Sequence, residues 1–262
     1  MTWATGGGTL TVNGQTLIGN PSGLTVNSGA LVGGNGTLPA TIINAGATLS
    51  PGNSIGTITV QGNLTFASGS SYVVEVSPVA ADRTNVTGTA ALSGNVLATL
   101  LPGTQYKNKY TILSSAGLGG TTFAALTSSN VPPNFSTSLS YTATDVILNV
   151  SGVLPGGTVN ERSVAAAING FFNNGGTLPP GFVSIFGLTG ANLGNALSQL
   201  PADRQVVLYC KTGVRSAEAL AIGLVYAAQL AHRMGRISRA RVDEHYEVVG
   251  GDRKSTRLNS SH

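Results

Sequence analysis

Residues 24–64 read LTVNSGALVGGNGTLPATIINAGATLSPGNSIGTITVQGNL, and the spacing inside this stretch decides the fold class. Three short β-branched runs, Leu24–Val26, Thr41–Ile43 and Thr57–Val60, are each followed by Asn or Gln and, within a residue or two, by Gly. A second apolar position then follows in each pass, at Leu31, Leu49 and Leu64. The residues closing the runs, Val26, Ile43 and Val60, lie 17 apart in sequence. A looser copy precedes them at residues 10–17, LTVNGQTL. A unit this short buries its apolar side chains only against copies of itself, so the pattern predicts stacked coils. Asn27 and Asn44 take like positions in successive coils and are expected to stack as an amide ladder. A sandwich of hairpins is the rival architecture, and it would show two-residue turns without a constant period.

Working outward, the composition agrees with a β-rich chain held by packing. Of 262 residues 36 are glycine and only 9% are charged, and no charged side chain precedes Glu75. Disordered Gly/Ser tracts lack regular Val, Ile and Leu positions, which argues against a linker here. The formal charge of +4 is uneven: residues 1–202 carry four basic and four acidic groups, residues 203–262 ten and six. The repeat region therefore offers no basic face for nucleic acid. The one cysteine is Cys210, so nothing earlier is cross-linked by disulfides or held by a Cys-ligated metal. No stretch reaches the length of about 18 apolar residues that spans a bilayer. The opening MTWATGGG has no basic and apolar leader pattern and reads as the interior of a repeat, which suggests a truncated start.

Past Ser70 the texture changes. Residues 71–76, 82–86, 90–96, 109–113, 138–142 and 145–150 read as longer strands and bring the first charges and tyrosines. They are expected to cap the stack, whose last coil would otherwise offer unpaired backbone groups. After the break SGVLPGGTVN, Asn160 is expected to cap a helix over residues 161–172 with Val164, Ile168, Phe171 and Phe172 on one face. A second helical stretch is expected over residues 192–200, with Leu193, Ala196, Leu197 and Leu200 on its apolar side.

Three blocks of text, GLTVNSGALVGGNGTL with INAGATLSPGNSIGTITVQGNL, then GSSYVVEV through FSTSLSYTATDVILNV, then NERSVAAAINGFF through GNALSQL, resemble in that order the end of an autotransporter passenger of type V secretion. They are similar to the passenger-associated repeat, to the pertactin-like closing region, and to the helical link before the translocating barrel. The resemblance covers residues 24–200 and implies a right-handed parallel β-helix exported through its own C-terminal barrel. It implies an outer-membrane, cell-surface or secreted location in a Gram-negative bacterium. The implied partners are that translocator barrel, the outer-membrane assembly machinery and a host or surface ligand, with no nucleic acid. The closing segment is implied to seed folding during export. No barrel-like strands follow residue 200.

Residues 206–220, VVLYCKTGVRSAEAL, carry the only catalytic-looking text. An apolar strand leading into Cys210, a Gly-containing turn and a helix opening near Ser216 would set a thiol over backbone N–H groups beside Arg215, which favours the thiolate. This wording resembles the active loop of rhodanese-like sulfurtransferases. On that likeness Cys210 carries a persulfide, Lys211, Thr212, Gly213 and Val214 form the cradle, and Arg215 closes it. Four residues separate Cys210 from Arg215, whereas cysteine phosphatases leave five. His232 and His245 have no partner at metal-ligand spacing, and the basic run Arg233–Arg241 reads as a solvated helix face. The ending DRKSTRLNSSH looks like translated sequencing adapter, which suggests that residues 203–262 join from another gene.

The expectation is a mainly β chain: a right-handed parallel β-helix with a β cap, a short α-helical linker and a small α/β fragment. Its parts are coils over 1–69, a closing cap over 70–152, a helical linker over 153–202, a rhodanese-like fragment over 203–251 and an artefactual tail over 252–262. It is expected to be a structural and adhesive module with no catalytic residue, cofactor or metal; the alternative is a sulfurtransferase fragment using Cys210 and Arg215.

Overall fold

In the computed structural model the described residues are 2–3, 8–14, 23–103, 106–177 and 184–199. The chain divides into two compact units, Met1–Gln199 and Leu200–His262, and only the first contains described residues. Its elements are β1 (Thr2–Trp3), β2 (Thr9–Val12), β3 (Leu24–Val26), β4 (Leu31–Gly34), β5 (Thr37–Ile43), β6 (Thr48–Pro51), β7 (Thr57–Phe66) and β8 (Ser71–Val76). There follow β9 (Arg83–Val86), β10 (Ala90–Ala91), β11 (Asn95–Leu100), β12 (Lys109–Ser114), β13 (Ala125–Ser129), β14 (Phe135–Tyr141) and β15 (Asp145–Gly152), and then helices α1 (Val159–Asn173) and α2 (Gly190–Gln199). A 3-10 turn, Ser184–Gly187, lies between the helices.

The strands form two sheets that face one another. One has six strands in the order β13-β11-β8-β6-β4-β2, all parallel. The other has nine and is mixed: β1-β3-β5-β7-β9-β12 run parallel, with β10 also parallel against β7, then β15 and β14 pair antiparallel. Alternation along each strand turns one set of side chains into the space between the sheets. Val26, Ile43 and Phe66 make one such row, and Val32, Leu49, Tyr72 and Val96 the row facing it, all at most 1% exposed. The sheets meet through rings, with Phe66 5.3 Å from Tyr72 and Phe123 stacked 5.7 Å from Tyr72.

This architecture corrects the expected right-handed β-helix of constant coils. Val26 does pair with Ile43, 17 residues on, but Ile43 then pairs with Phe66, and Val60 lies beside Leu38. The 17-residue step occurs once in each sheet, at β3–β5 and at β4–β6. The cause is the longer connection from β6 to β7, residues 52–56, where β4 and β5 are joined by residues 35–36 alone; a register shift in the β5–β7 pair, with Gly62 and Asn63 opposite Ala40, adds one more residue. The second departure is β15, which returns antiparallel between β12 and β14 and makes the larger sheet mixed. The fold is therefore mainly β, built from one parallel and one mixed sheet. The expected α/β fragment lies outside the described residues. The amide ladder is present, with Asn44 Nδ2 donating to Asn27 Oδ1 at 2.8 Å.

The helical segment packs on the end of the mixed sheet. Helix α1 starts earlier than expected: Thr158, not Asn160, is the cap. Thr158 Oγ1 accepts from Glu161 N–H at 3.2 Å and Glu161 Oε2 accepts from Thr158 N–H at 2.9 Å, a reciprocal capping box. Val164, Ile168 and Phe172 are buried as the apolar face requires, whereas Phe171, expected on the same face, is only half-buried. Asn173 and Asn169 exchange hydrogen bonds with the backbone of Gly152 and Leu154, tying α1 to the end of β15. Phe135, on β14, stacks on Phe186 at 4.5 Å and meets Phe172 at 5.4 Å, while Asn134 Nδ2 donates to the carbonyls of Phe186 and Leu188.

Candidate functional site

Cys210, Arg215 and the intervening Lys211, Thr212, Gly213 and Val214 lie outside the described residues, as do His232 and His245. The chemistry that the structure does place is a band of titratable groups between β8, β9, β12 and β15.

Asp82 precedes β9 and is 1% exposed, the one buried carboxylate among the described residues. Its Oδ1 accepts from Gly56 N–H and its Oδ2 from Glu75 N–H, each at 2.8 Å. Gly52 turns tightly around it: a Cβ there would lie 2.5 Å from Asp82 Oδ1, and the backbone has φ +85°. Ser54 in the same turn also takes a positive φ of 80°. Burial pushes the Asp82 carboxyl up to about 6, against the two backbone N–H groups that favour its charged form. Both oxygens are engaged and aim at backbone amides, so the carboxyl joins the 52–56 turn to β8 and has no hydroxyl or thiol to activate.

Arg83 follows on the outer side of β9. Its Nη2 donates to Ser114 Oγ at 2.8 Å, and Ser114 Oγ donates to Asp145 Oδ1 at 2.5 Å. Asp145 also accepts from the hydroxyls of Thr144 and Thr142, and these bonds, Ser114 first, hold its carboxyl below the usual range. A weakly basic carboxylate makes a poor general base, and the guanidinium already occupies the serine oxygen. The Ser114–Asp145 pair thus serves to tie β9, β12 and β15 together.

Three tyrosines act as struts. Tyr72 donates to the Ile112 carbonyl at 2.5 Å and shares a 2.9 Å hydrogen bond with Thr84 Oγ1, joining the two sheets through the core; burial pushes its phenol well up. Tyr110 donates to the Pro78 carbonyl at 2.9 Å, and burial pushes its phenol up to about 12. Tyr106 donates to the Leu101 carbonyl. Among the described residues no group of three or more His, Cys, Asp or Glu is placed to hold a metal ion. None of the described helices is long and apolar enough to cross a membrane.

Sequence reasoning singled out none of these contacts. Asp82 and Arg83 are neighbours in the sequence but Asp145 lies far from them, and only the pairing of β9 with β12 and of β12 with β15 brings the three into one band.

No family model matches the chain. Thirty residues do match known proteins. They are 73% identical to a probable adenylyltransferase/sulfurtransferase MoeZ of Mycobacterium tuberculosis strain CDC 1551 / Oshkosh, and equally to that of strain ATCC 25618 / H37Rv. The match takes 12% of this chain and 8% of each relative, so the chain spans less than a tenth of the proteins it matches.

Proposed function

We propose that residues 1–199 serve as a structural and surface-interaction module, a piece of an exported autotransporter passenger whose closing region supports the folding of the rest. The observation that carries this reading is the way the parallel stack ends. The antiparallel hairpin β14–β15, α1 and the ring cluster of Tyr106, Phe135, Phe172 and Phe186 close the mixed sheet with side chains that are almost fully buried. Strands paired to near neighbours in sequence close short loops and form at low entropic cost, whereas each parallel ladder needs a longer crossover. A preformed β14–β15 hairpin, joined only by residues 142–144, therefore gives β12 a template, and the parallel strands follow from β12. The chemistry of the band agrees, since its carboxylates and hydroxyls are consumed by structural hydrogen bonds. On this reading the module is not an enzyme, is displayed at the outer membrane or cell surface or secreted, and meets its barrel and assembly machinery during export. Pulse-labelled hydrogen exchange during refolding tests it: amides of β12, β14 and β15 should gain protection before those of β3–β6. The reverse order would sink the proposal.

A second reading is favoured by the 30-residue match to a sulfurtransferase. On it the chain's last quarter is a sulfurtransferase fragment, with Cys210 as persulfide nucleophile and Arg215 beside it. Thiosulfate and cyanide supplied to the purified chain would then yield thiocyanate, and Cys210→Ser would abolish it. The absence of thiocyanate from the unmodified chain would remove this reading.

A further inference from the structure

Four asparagines stand immediately before a glycine: Asn13, Asn35, Asn169 and Asn174. A following residue without a Cβ lets its backbone nitrogen come close to the asparagine carboxamide carbon. The fold treats the four pairs differently. Asn35 Oδ1 accepts from Gly14 N–H at 2.8 Å, and the nitrogen after Asn35, on the buried Gly36, donates to the Val12 carbonyl at 2.7 Å. Asn13 Oδ1 accepts from Asn53 Nδ2 at 2.7 Å, while the nitrogen after Asn13 is the one that Asn35 holds. Asn169 sits inside α1, with both polar side-chain atoms bonded to the backbone of Leu154.

Asn174 differs from the other three on every count. It is exposed, its carboxamide has no hydrogen-bond partner, and it is the residue on which α1 ends. The helix closes there with Gly175 N–H on the Phe172 carbonyl and Gly176 N–H on the Phe171 carbonyl, each at 2.9 Å, and with Gly175 at φ +89°. Helix ends fray. Opening the Gly175 bond alone frees the nitrogen that lies next to an unheld carboxamide.

We propose that Asn174 is a site of spontaneous deamidation, and that its conversion loosens α1 from the sheet. The Gly175 nitrogen forms a bond to Asn174 Cγ and gives up its proton. The carboxamide C–N bond breaks, and the amide nitrogen leaves with that proton as ammonia. Water then opens the cyclic imide at one carbonyl or the other, leaving aspartate or isoaspartate, with no change of oxidation state. Either product sets a negative charge at the C-terminus of a helix that has no basic residue in its last turn, where the backbone dipole is already negative. Isoaspartate also lengthens the main chain between residues 174 and 175, so the two closing hydrogen bonds lose their register. The preceding residue, Asn173, carries the clamp on Gly152 and takes Asn108 Nδ2 on its carbonyl, so the damage falls beside the joint between α1 and β15. This inference does not depend on the functional reading above.

Ageing the full chain in warm, mildly alkaline buffer tests it, with tryptic peptides fragmented in a mass spectrometer to place each amide-to-acid mass gain. Residue 174 should convert several-fold faster than residues 13, 35 and 169, with isoaspartate among its products. In urea the four pairs should convert at similar rates, because the fold no longer distinguishes them. Hydrogen exchange of α1 amides should run several-fold faster in the aged chain than in the fresh one. Asn174→Gln, which cannot form the five-membered imide, should keep the slow exchange after the same ageing. Conversion at residue 174 no faster than at the other three in the folded chain would overturn the proposal. So would a converted chain whose α1 amides exchange as slowly as before, or an aged Asn174→Gln chain whose α1 loosens equally.

Discussion

Phe186→Ala removes a ring that is 1% exposed, stacked on Phe135 at 4.5 Å and tilted against Phe172 at 5.6 Å. It also empties the space beside Gly152, where an added Cβ would stand 2.5 Å from the ring. Truncating a buried phenylalanine costs about 3–5 kcal/mol, through lost transfer free energy and a cavity that closes only in part. Asn134 bonds the carbonyl of residue 186 and not its side chain, so the backbone is pinned and collapse is limited. That argues for the upper part of the range. With a urea slope of about 2 kcal/mol/M, the unfolding midpoint should fall by about 2 M. Urea titration of the full chain followed by circular dichroism reads this, and hydrogen exchange of α1 amides shows whether the helix detaches first. A loss below about 1 kcal/mol, with α1 protection unchanged, would refute the claim that this ring joins the helices to the sheet.

Three further outcomes follow from the same geometry. Tyr72→Phe keeps the core packing but leaves Thr84 Oγ1 and the Ile112 carbonyl without their partner, so stability should drop by about 1–3 kcal/mol in a denaturant titration. Asp82 has a folded-state pKa of about 6 against 3.8 in the unfolded chain. Its contribution to stability is thus fully present below the lower value, is lost as pH rises between the two, and is level above the upper one. The thermal midpoint of wild type should show that decline relative to Asp82→Asn, whose profile lacks it; a gain over the same window would contradict the assignment. Gly152→Ala drives a methyl into the Phe186 ring and should cost about 1–3 kcal/mol by overpacking, read as a lowered thermal midpoint.

The sequence shows the apolar rows wherever successive strands match closely. Val26 beside Ile43, and Asn27 bonded to Asn44, both follow from one 17-residue step. The same arithmetic fails at Val60, although Val60 is buried as the pattern asks. An inward position in a strand looks alike whichever neighbour it pairs with, and the longer 52–56 connection brings Val60 opposite Leu38 while leaving it on the inner face. Strands β12, β14 and β15 are visible as alternating text, but their order in the sheet is not, because local alternation carries no information about which edge a returning strand takes. The charged band is hidden for the same reason. Asp82 becomes a clamp only when the 52–56 turn wraps it, and Arg83 reaches Asp145 only through Ser114, 31 residues from each. The sulfurtransferase-like text around Cys210 was legible as chemistry, yet its residues fall outside those the structure describes.

The most direct test of the central claim is export. The chain is fused ahead of a translocating β-barrel in a Gram-negative cell, and protease is added to the intact cells. The account predicts that the wild-type chain is cut from the surface with residues 1–199 surviving as a resistant fragment. A Phe135→Ala/Phe186→Ala variant, whose closing region is loosened, should reach the surface in a much smaller share. Equal display of the two chains, or a wild-type chain that never becomes accessible, would contradict it.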